Sequence, residues 1–362
     1  MFRVVSSTSA ARRLEAAHQF LADYLPAAEV TIVAASRGAA DDFARAVARD
    51  AGATFGLTRF SLTQLAARAA AIHLAGTRRM PGSQAGAEAI AARAVFEAIA
   101  AQELEYFAPV ASMPGFPKAL ARTLHELRLA GVEPGRLAGD AAGGGEKPDW
   151  QKANADIGRL LARVEEQLER AGVDDRAALF LAAAGACRAG GVSWAEVPLV
   201  LLDVPIDSWT ERAFVTALLE RTPAALATVP DGDHLARAIL VELGGVVEER
   251  AGLTDDPAPA SDLATLRRYI FSKERPPERQ LLGDVRLFSA PGEGREAVEI
   301  VRRVLDEASR GVPFDEMAVF LRTPQLYIGL LEHACARARV PVYFDRGTER
   351  PDPAGRAFVA LL

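Results

Sequence analysis

The chain has 362 residues, half of them hydrophobic and a quarter charged, which predicts a globular protein of more than one domain. Its formal net charge of −6 is unlike that of a compact, basic nucleic-acid-binding domain, so any nucleic-acid contact must be local. No apolar run reaches the length of a membrane span. The cysteines Cys187 and Cys335 are too far apart for a metal motif or a disulfide framework. We therefore expect a cytoplasmic protein that makes no membrane contact.

The first clear elements are a strand at 30–34 and a helix at about 39–51, joined by a turn of small residues. A phosphate-binding loop in this position would read G-x-x-x-x-G-K-[ST]. Here the turn contains Ser36, Arg37 and Gly38, and no lysine precedes Lys118. The turn is therefore either a degenerate nucleotide loop or an ordinary strand–helix connection.

A short extended piece and a helix follow at 56–70, and helical periodicity continues to about residue 190. Within it, residues 139–150 are predicted as a flexible connection. Strands are then predicted at 198–204 and 224–230, each followed by a helix, the second helix covering 233–252. Ser208 and Glu211 have the spacing of a capping box at the start of the first of these helices.

A linker at 253–283 precedes a second alternation of strands and helices. Its strands are predicted at 284–291, 317–323 and 340–346, and its helices at 292–311, 324–339 and 353–362. This order predicts a second α/β unit with a parallel sheet. The sequence ends inside the last predicted helix, so we expect these residues to belong to a longer protein.

The simplest architecture is a parallel α/β domain interrupted by helices. The first domain comprises 1–60 and 195–252, a helical insertion spans 61–194, the linker is 253–283, and 284–362 form part of a second α/β domain.

This order resembles superfamily-1 helicases of the UvrD type, particularly the AddB-like and RecB-like proteins associated with nucleases. "TIVAASRGAADDFARAVA" (31–48) resembles their first helicase motif, and "LTRFSLTQLAARAA" (57–70) resembles the segment after it. "PLVLLDVPIDSWTERAF", beginning at residue 198, is similar to the second motif. Residues 284–362 follow the opening of the second helicase-like domain. The resemblance implies two RecA-like domains, the first of them interrupted by the insertion.

Two departures from the family pattern bear on activity. The first motif lacks the phosphate-binding lysine and the Ser/Thr that holds Mg²⁺. The second motif keeps Asp203, but Val204 follows it where the family has a glutamate base. Phosphoryl transfer needs a charge clamp and an oriented water. We therefore expect a scaffold with degenerate ATPase motifs that guides DNA without hydrolysing ATP, and that binds no cofactor of its own.

The resemblance also implies partners. These are a DNA single strand or duplex end, and an AddA-like helicase–nuclease subunit. By the same resemblance Arg59, Thr63 and Arg322 are candidate contacts to nucleotide or DNA. No lysine here has the acid of a PD-(D/E)XK nuclease two residues before it, so a Mg²⁺-dependent nuclease domain is expected beyond residue 362.

Two alternatives stay open. Gly292-x-Gly294-x-x-Ala297 has the spacing of a dinucleotide fingerprint, although the acid expected about 20 residues later is absent. The chain would then be a nucleotide-binding enzyme. In the other alternative it is a purely structural interaction module.

Overall fold

The computed structural model describes residues 2–137, 148–190, 192–250, 261–270, 273–344, 357 and 361. They divide into two compact units, Met1–Pro257 and Ala258–Leu362. Residues 139–147 of the connection predicted at 139–150 lie outside the described residues, whereas Asp149 and Trp150 begin a helix. The start of the predicted linker, at 253–260, and most of the last helix, predicted at 353–362, also lie outside the described residues.

The first unit alternates strands and helices around a central run of helices. Its elements in chain order are β1 (Phe2–Ser7), α1 (Ala10–Ala22), β2 (Val30–Ala34), α2 (Arg37–Ala51), β3 (Leu57–Ser61), α3 (Leu62–Thr77), β4 (Met80–Pro81), α4 (Gln84–Ala100), α5 (Phe116–Leu129), α6 (Pro134–Leu137), α7 (Asp149–Ala171), β5 (Val173–Asp174), α8 (Arg176–Arg188), a 3-10 turn (Ser193–Glu196), β6 (Leu199–Leu202), α9 (Trp209–Arg221), β7 (Ala225–Pro230), α10 (His234–Glu242) and β8 (Val246–Glu249).

Six strands form one sheet in the order β3-β2-β6-β7-β1-β8, and every neighbouring pair is parallel. The central strands β2, β6 and β7 are short, nearly continuous apolar runs, as expected for strands buried on both faces. The predicted α/β class with a parallel sheet is therefore confirmed.

Helices cover both faces of this sheet. Helices α1 and α2, which follow β1 and β2, pack on one face with a core that includes Phe20, Leu21, Phe43 and Val47. Helices α3, α8, α9 and α10 pack on the other face with Leu65, Phe180, Phe214 and Leu240. Neighbouring strands β2 and β6, and likewise β7 and β1, are thus followed by helices on opposite faces. The carboxyl edge of a parallel sheet forms its binding crevices at such points.

The prediction of one helix over 233–252 is wrong. Helix α10 ends at Glu242, and β8 pairs with β1 as an edge strand. Two glycines cause the break. Gly244 has φ +88°, and a Cβ on Gly245 would lie 2.5 Å from Cγ2 of Val4. Only glycine lets the chain turn here and approach β1 so closely.

The helices between β3 and β6 belong to two cores. Helices α3 and α8 pack on the sheet, whereas α4, α5 and α7 form a separate core that includes Val95, Leu124, Leu160 and Leu161. The buried carboxylate of Asp156 on α7 anchors the loop before α5. It accepts hydrogen bonds from the backbone N–H groups of Glu105, Tyr106 and Phe107. The predicted insertion boundaries, 61–194, stay a prediction.

The second unit contains α11 (Asp262–Tyr269), α12 (Glu293–Ser309), a 3-10 turn (Phe314–Glu316) and α13 (Pro324–Ala338). Helix α11 falls inside the segment predicted as a linker. Helices α12 and α13 match the predicted ones closely and pack against each other.

The strands predicted in the second unit at 284–291, 317–323 and 340–346 are wrong for the residues described there, which form no strand ladder. Leu287 is fully exposed and Phe320 is 94% exposed, so neither is buried as a central parallel strand requires. Among the described residues of this unit, the buried hydrophobic core comprises Ala297, Val301, Leu331, Ala334 and Cys335. That burial is too small to hold three extended segments in register.

Across the described ranges, the helices are all too short or too polar to cross a lipid bilayer.

Candidate functional site

Asp203 lies at the carboxyl edge of the sheet, directly after β6. Its φ of +46° is left-handed, a conformation that aspartate tolerates better than most residues. Its backbone N–H donates to the carbonyl and the hydroxyl of Thr228 on β7, at 3.1 and 3.0 Å. The Thr228 hydroxyl in turn donates to Oδ1 of Asp203 at 2.7 Å. These bonds hold the carboxylate over the ends of β6 and β7.

The partner of this carboxylate is Arg13, in the first turns of α1. Nε of Arg13 donates to Oδ1 and Nη2 donates to Oδ2, both at 2.9 Å. Nη1 donates to the backbone carbonyl of Ser7, at the end of β1, at 2.6 Å. Arg13 is only 7% exposed. The planar guanidinium therefore forms a bidentate pair with Asp203 and joins it to the end of β1.

Local sequence explains why Arg13 lies there. β1 ends in Ser6 and Ser7, and Ser9 caps α1 by accepting a hydrogen bond from the N–H of Arg12. The helix thus begins at the carboxyl end of β1, and its fourth residue lies over the strand edge. This is the same strand–serine–helix pattern that occurs at β2.

The crevice cannot act as a metal or phosphate clamp with these residues as they are arranged. Arg13 neutralises the carboxylate of Asp203, and the first lysine of the chain is Lys118. Within the described ranges, no group of three or more His, Cys, Asp or Glu side chains is placed to hold a metal ion. The residues present at this edge therefore do not fit Mg²⁺–ATP.

The loop of Ser36, Arg37 and Gly38 lies at the end of β2. The Ser36 hydroxyl caps α2 by accepting from the N–H of Ala39 at 3.1 Å. Nε of Arg37 donates to both carboxylate oxygens of Asp41 at 3.1 Å. A Cβ on Gly38 would meet nothing closer than 3.8 Å, so the backbone does not require glycine here. This geometry is that of an ordinary helix start.

Arg37 also donates to the backbone carbonyl of Arg59 on the edge strand β3. Nε of Arg59 lies 3.5 Å from Oδ1 of Asp41, so the two arginines share one carboxylate. The guanidiniums of Arg37 and Arg68 lie 5.8 and 5.3 Å from the centre of the Phe60 ring. Arg37 and Arg59, two of the predicted site residues, therefore lie in direct contact and share the carboxylate of Asp41.

Thr63 is half-buried in the first turn of α3, next to this arginine cluster in sequence. The side chain of Asp203 is directed to Thr228 and Arg13, whereas Arg37 is directed to β3. The two predicted halves of a nucleotide site thus have separate partners.

Arg322 and the Gly292 loop belong to the second unit. Arg322 is exposed. Gly292 has φ +89° before α12, but a Cβ on Gly294 would meet only open space. No ladder-forming strand precedes the loop within the described residues. A dinucleotide fingerprint requires both a preceding strand and a close backbone approach, so the geometry does not favour this alternative.

Sequence reasoning missed Arg13, Ser7 and Thr228. A signal was present, because "RVVSSTSAARRLEA" (3–16) has an apolar run, serines and an amphipathic helix in the same order as 30–48. Nothing in the linear pattern shows that this first turn adjoins Asp203, 190 residues away in the sequence.

No protein-family model matches the chain, and no curated protein matches it. The resemblance to AddB-like and RecB-like proteins therefore rests on the order of elements and motifs given above.

Proposed function

We propose that this chain is a helicase-like scaffold that guides DNA without binding or hydrolysing ATP. In this proposal, the first unit is a RecA-like domain interrupted by a helical insertion. The second unit is the start of a second such domain. The nuclease and motor activities are supplied by another domain or by an AddA-like subunit, in the cytoplasm.

The observation that carries the proposal is the Arg13–Asp203 pair. In parallel α/β folds the crevice at the carboxyl edge is where nucleotides bind. Here an internal guanidinium occupies that crevice and neutralises the carboxylate. In this proposal the chain keeps the architecture of a nucleotide site, but the charged groups of that site, Arg13 and Asp203, pair with each other.

A role in guiding DNA is supported by cations at the edge of the same sheet. Arg68 lies over both Phe60 and Trp194 and has no carboxylate partner in the described part of the chain. Arginine next to an aromatic ring is a common combination on surfaces that bind single strands.

The test is calorimetric titration of the chain with Mg²⁺–ATP, together with a phosphate-release assay. We expect neither heat of binding in the micromolar range nor turnover. Micromolar affinity or Mg²⁺-dependent turnover would refute the proposal. The variants Arg13→Met and Arg37→Ala would then identify which turn holds the nucleotide.

A further inference from the structure

Helix α5 carries a basic stripe, defined here as Lys118, Arg122 and His125. The spacing i, i+4 and i+7 places the three side chains on one helix face. Lys118 and Arg122 are exposed and His125 is half-buried. The opposite face of α5 is buried through Leu120 and Leu124. Packing therefore fixes the helix rotation and directs the stripe away from the core.

The side chains of the basic stripe have no internal partner among the described residues. Across the described residues, neither an ion pair nor a side-chain hydrogen bond joins Lys118, Arg122 or His125 to a neighbour. Most described arginines of the first unit do pair with carboxylates. Lys118 and Arg122 are thus two exposed cations without an internal partner in a chain with more acidic than basic residues, and such cations attract anions.

An exposed aromatic ring lies at the carboxyl end of the same helix. Gly131, just after α5, has φ +70°, and a Cβ there would lie 2.8 Å from Cε3 of Trp209. The Thr210 hydroxyl donates to the carbonyl of Leu129 at 3.3 Å. These contacts hold the indole against the backbone at the start of α9, yet Trp209 remains 56% exposed.

We propose that the basic stripe and Trp209 bind a single strand of DNA. Lys118 and Arg122 contact backbone phosphates, and the indole of Trp209 stacks on a base. Cations that follow the backbone, combined with aromatic platforms for bases, are the physical basis of single-strand binding. The inference rests on the proposed function and deepens it by assigning the DNA contact to α5 and Trp209, in addition to the edge of β3.

The test is fluorescence anisotropy of a labelled oligothymidine strand titrated with the full chain over a salt series. The charge variant is Lys118→Glu/Arg122→Glu. Its matched control is Arg49→Glu/Arg78→Glu, which changes the same charge at two other exposed arginines that have no ion pair in the described chain. Circular dichroism confirms that each variant is folded.

We expect the charge variant to lose about 10-fold or more in affinity at low salt. The slope of log K against log salt should fall in magnitude by about 1.4, because each single-strand phosphate contact contributes about 0.7. The control should stay within about twofold of the unchanged chain, since only local cations form counterion-releasing contacts. Glu126→Lys, which adds a cation on the same helix, should strengthen binding.

Trp209→Leu separates stacking from charge. It should lower affinity about 10-fold while leaving the salt slope unchanged, because stacking releases no counterions. Equal binding by the charge variant and its control would overturn the inference and leave the proposed function standing. Absence of binding by the unchanged chain at low salt would overturn both.

Discussion

Replacement of Arg13 by methionine tests whether the crevice at the carboxyl edge is closed by an internal ion pair. Methionine keeps an unbranched apolar stem of similar length but removes the guanidinium. The carboxylate of Asp203 then loses its bidentate partner, and the carbonyl of Ser7 loses one donor.

The expected cost follows from the exposure of the two side chains. Removing one partner of a fully buried pair costs about 3–5 kcal/mol, whereas surface pairs contribute about 0–1 kcal/mol. The side chain of Arg13 is 9% exposed and that of Asp203 is 34% exposed, so water partly solvates the orphaned carboxylate. We expect Arg13→Met to lower the free energy of unfolding by about 2–3 kcal/mol, between these limits.

The assay is urea unfolding followed by tryptophan fluorescence. All three tryptophans, Trp150, Trp194 and Trp209, lie in the first unit, so this signal reports on the unit that contains the pair. The matched control is Arg12→Met, which removes the neighbouring, exposed pair with Glu15 and should cost about 0.5 kcal/mol or less.

A double-mutant cycle isolates the interaction. Asp203→Asn keeps a residue that tolerates positive φ, and the coupling energy with Arg13→Met should be about 1.5–2 kcal/mol. A cost below about 0.5 kcal/mol for Arg13→Met, equal to its control, would show that the crevice is hydrated and open. The Arg13–Asp203 pair would then not close this edge of the sheet to a nucleotide.

Three further predictions concern packing and burial. Gly245→Ala should destabilise the first unit by about 1–3 kcal/mol in urea unfolding, because its Cβ would clash with Val4. The control Gly76→Ala, on α3 where a Cβ meets only open space, should be neutral or stabilising in the same assay. Asp156→Asn should cost about 2–3 kcal/mol in the same assay, because one accepting oxygen becomes an N–H donor that faces the backbone N–H of Glu105 and the guanidinium of Arg159. An unchanged midpoint would contradict the anchoring role. Burial raises the pKa of the Cys187 thiol to about 11, so iodoacetamide at pH 8 should modify Cys187 only after unfolding. Peptide mass spectrometry locates the modified cysteine, and modification of Cys187 in the native chain would show that this core opens readily.

Local sequence predicted several of the strands and helices of the first unit. The runs at 30–34, 198–204 and 224–230 are short and continuously apolar, which suits strands buried on both faces. Ser208 caps α9, as its spacing from Glu211 predicted, and the structure shows that Ser36 caps α2 in the same way. These signals act over a few residues, so they can be read without knowing the fold.

The same local signals failed where a neighbour distant in sequence decides the outcome. Residues 246–249 form a strand because Gly245 lets them approach β1, which lies at the other end of the unit's sequence. The apolar segments at 284–291 and 317–323 have strand-like composition, yet they form no ladder among the described residues because their unit buries too little around them.

The candidate site shows most directly which features depend on local sequence and which depend on contacts between distant residues. The amino-acid pattern alone showed that Asp203 ends a buried strand and that the turn at Ser36 contains no lysine. The folded structure was needed to show that Asp203 binds Arg13 and that Arg37 reaches the edge of β3, because both contacts join residues far apart in the chain. The strand order brings the end of β1 close to the ends of β6 and β7, although they are far apart in the chain. A side chain's partner depends on that order, which local periodicity does not encode.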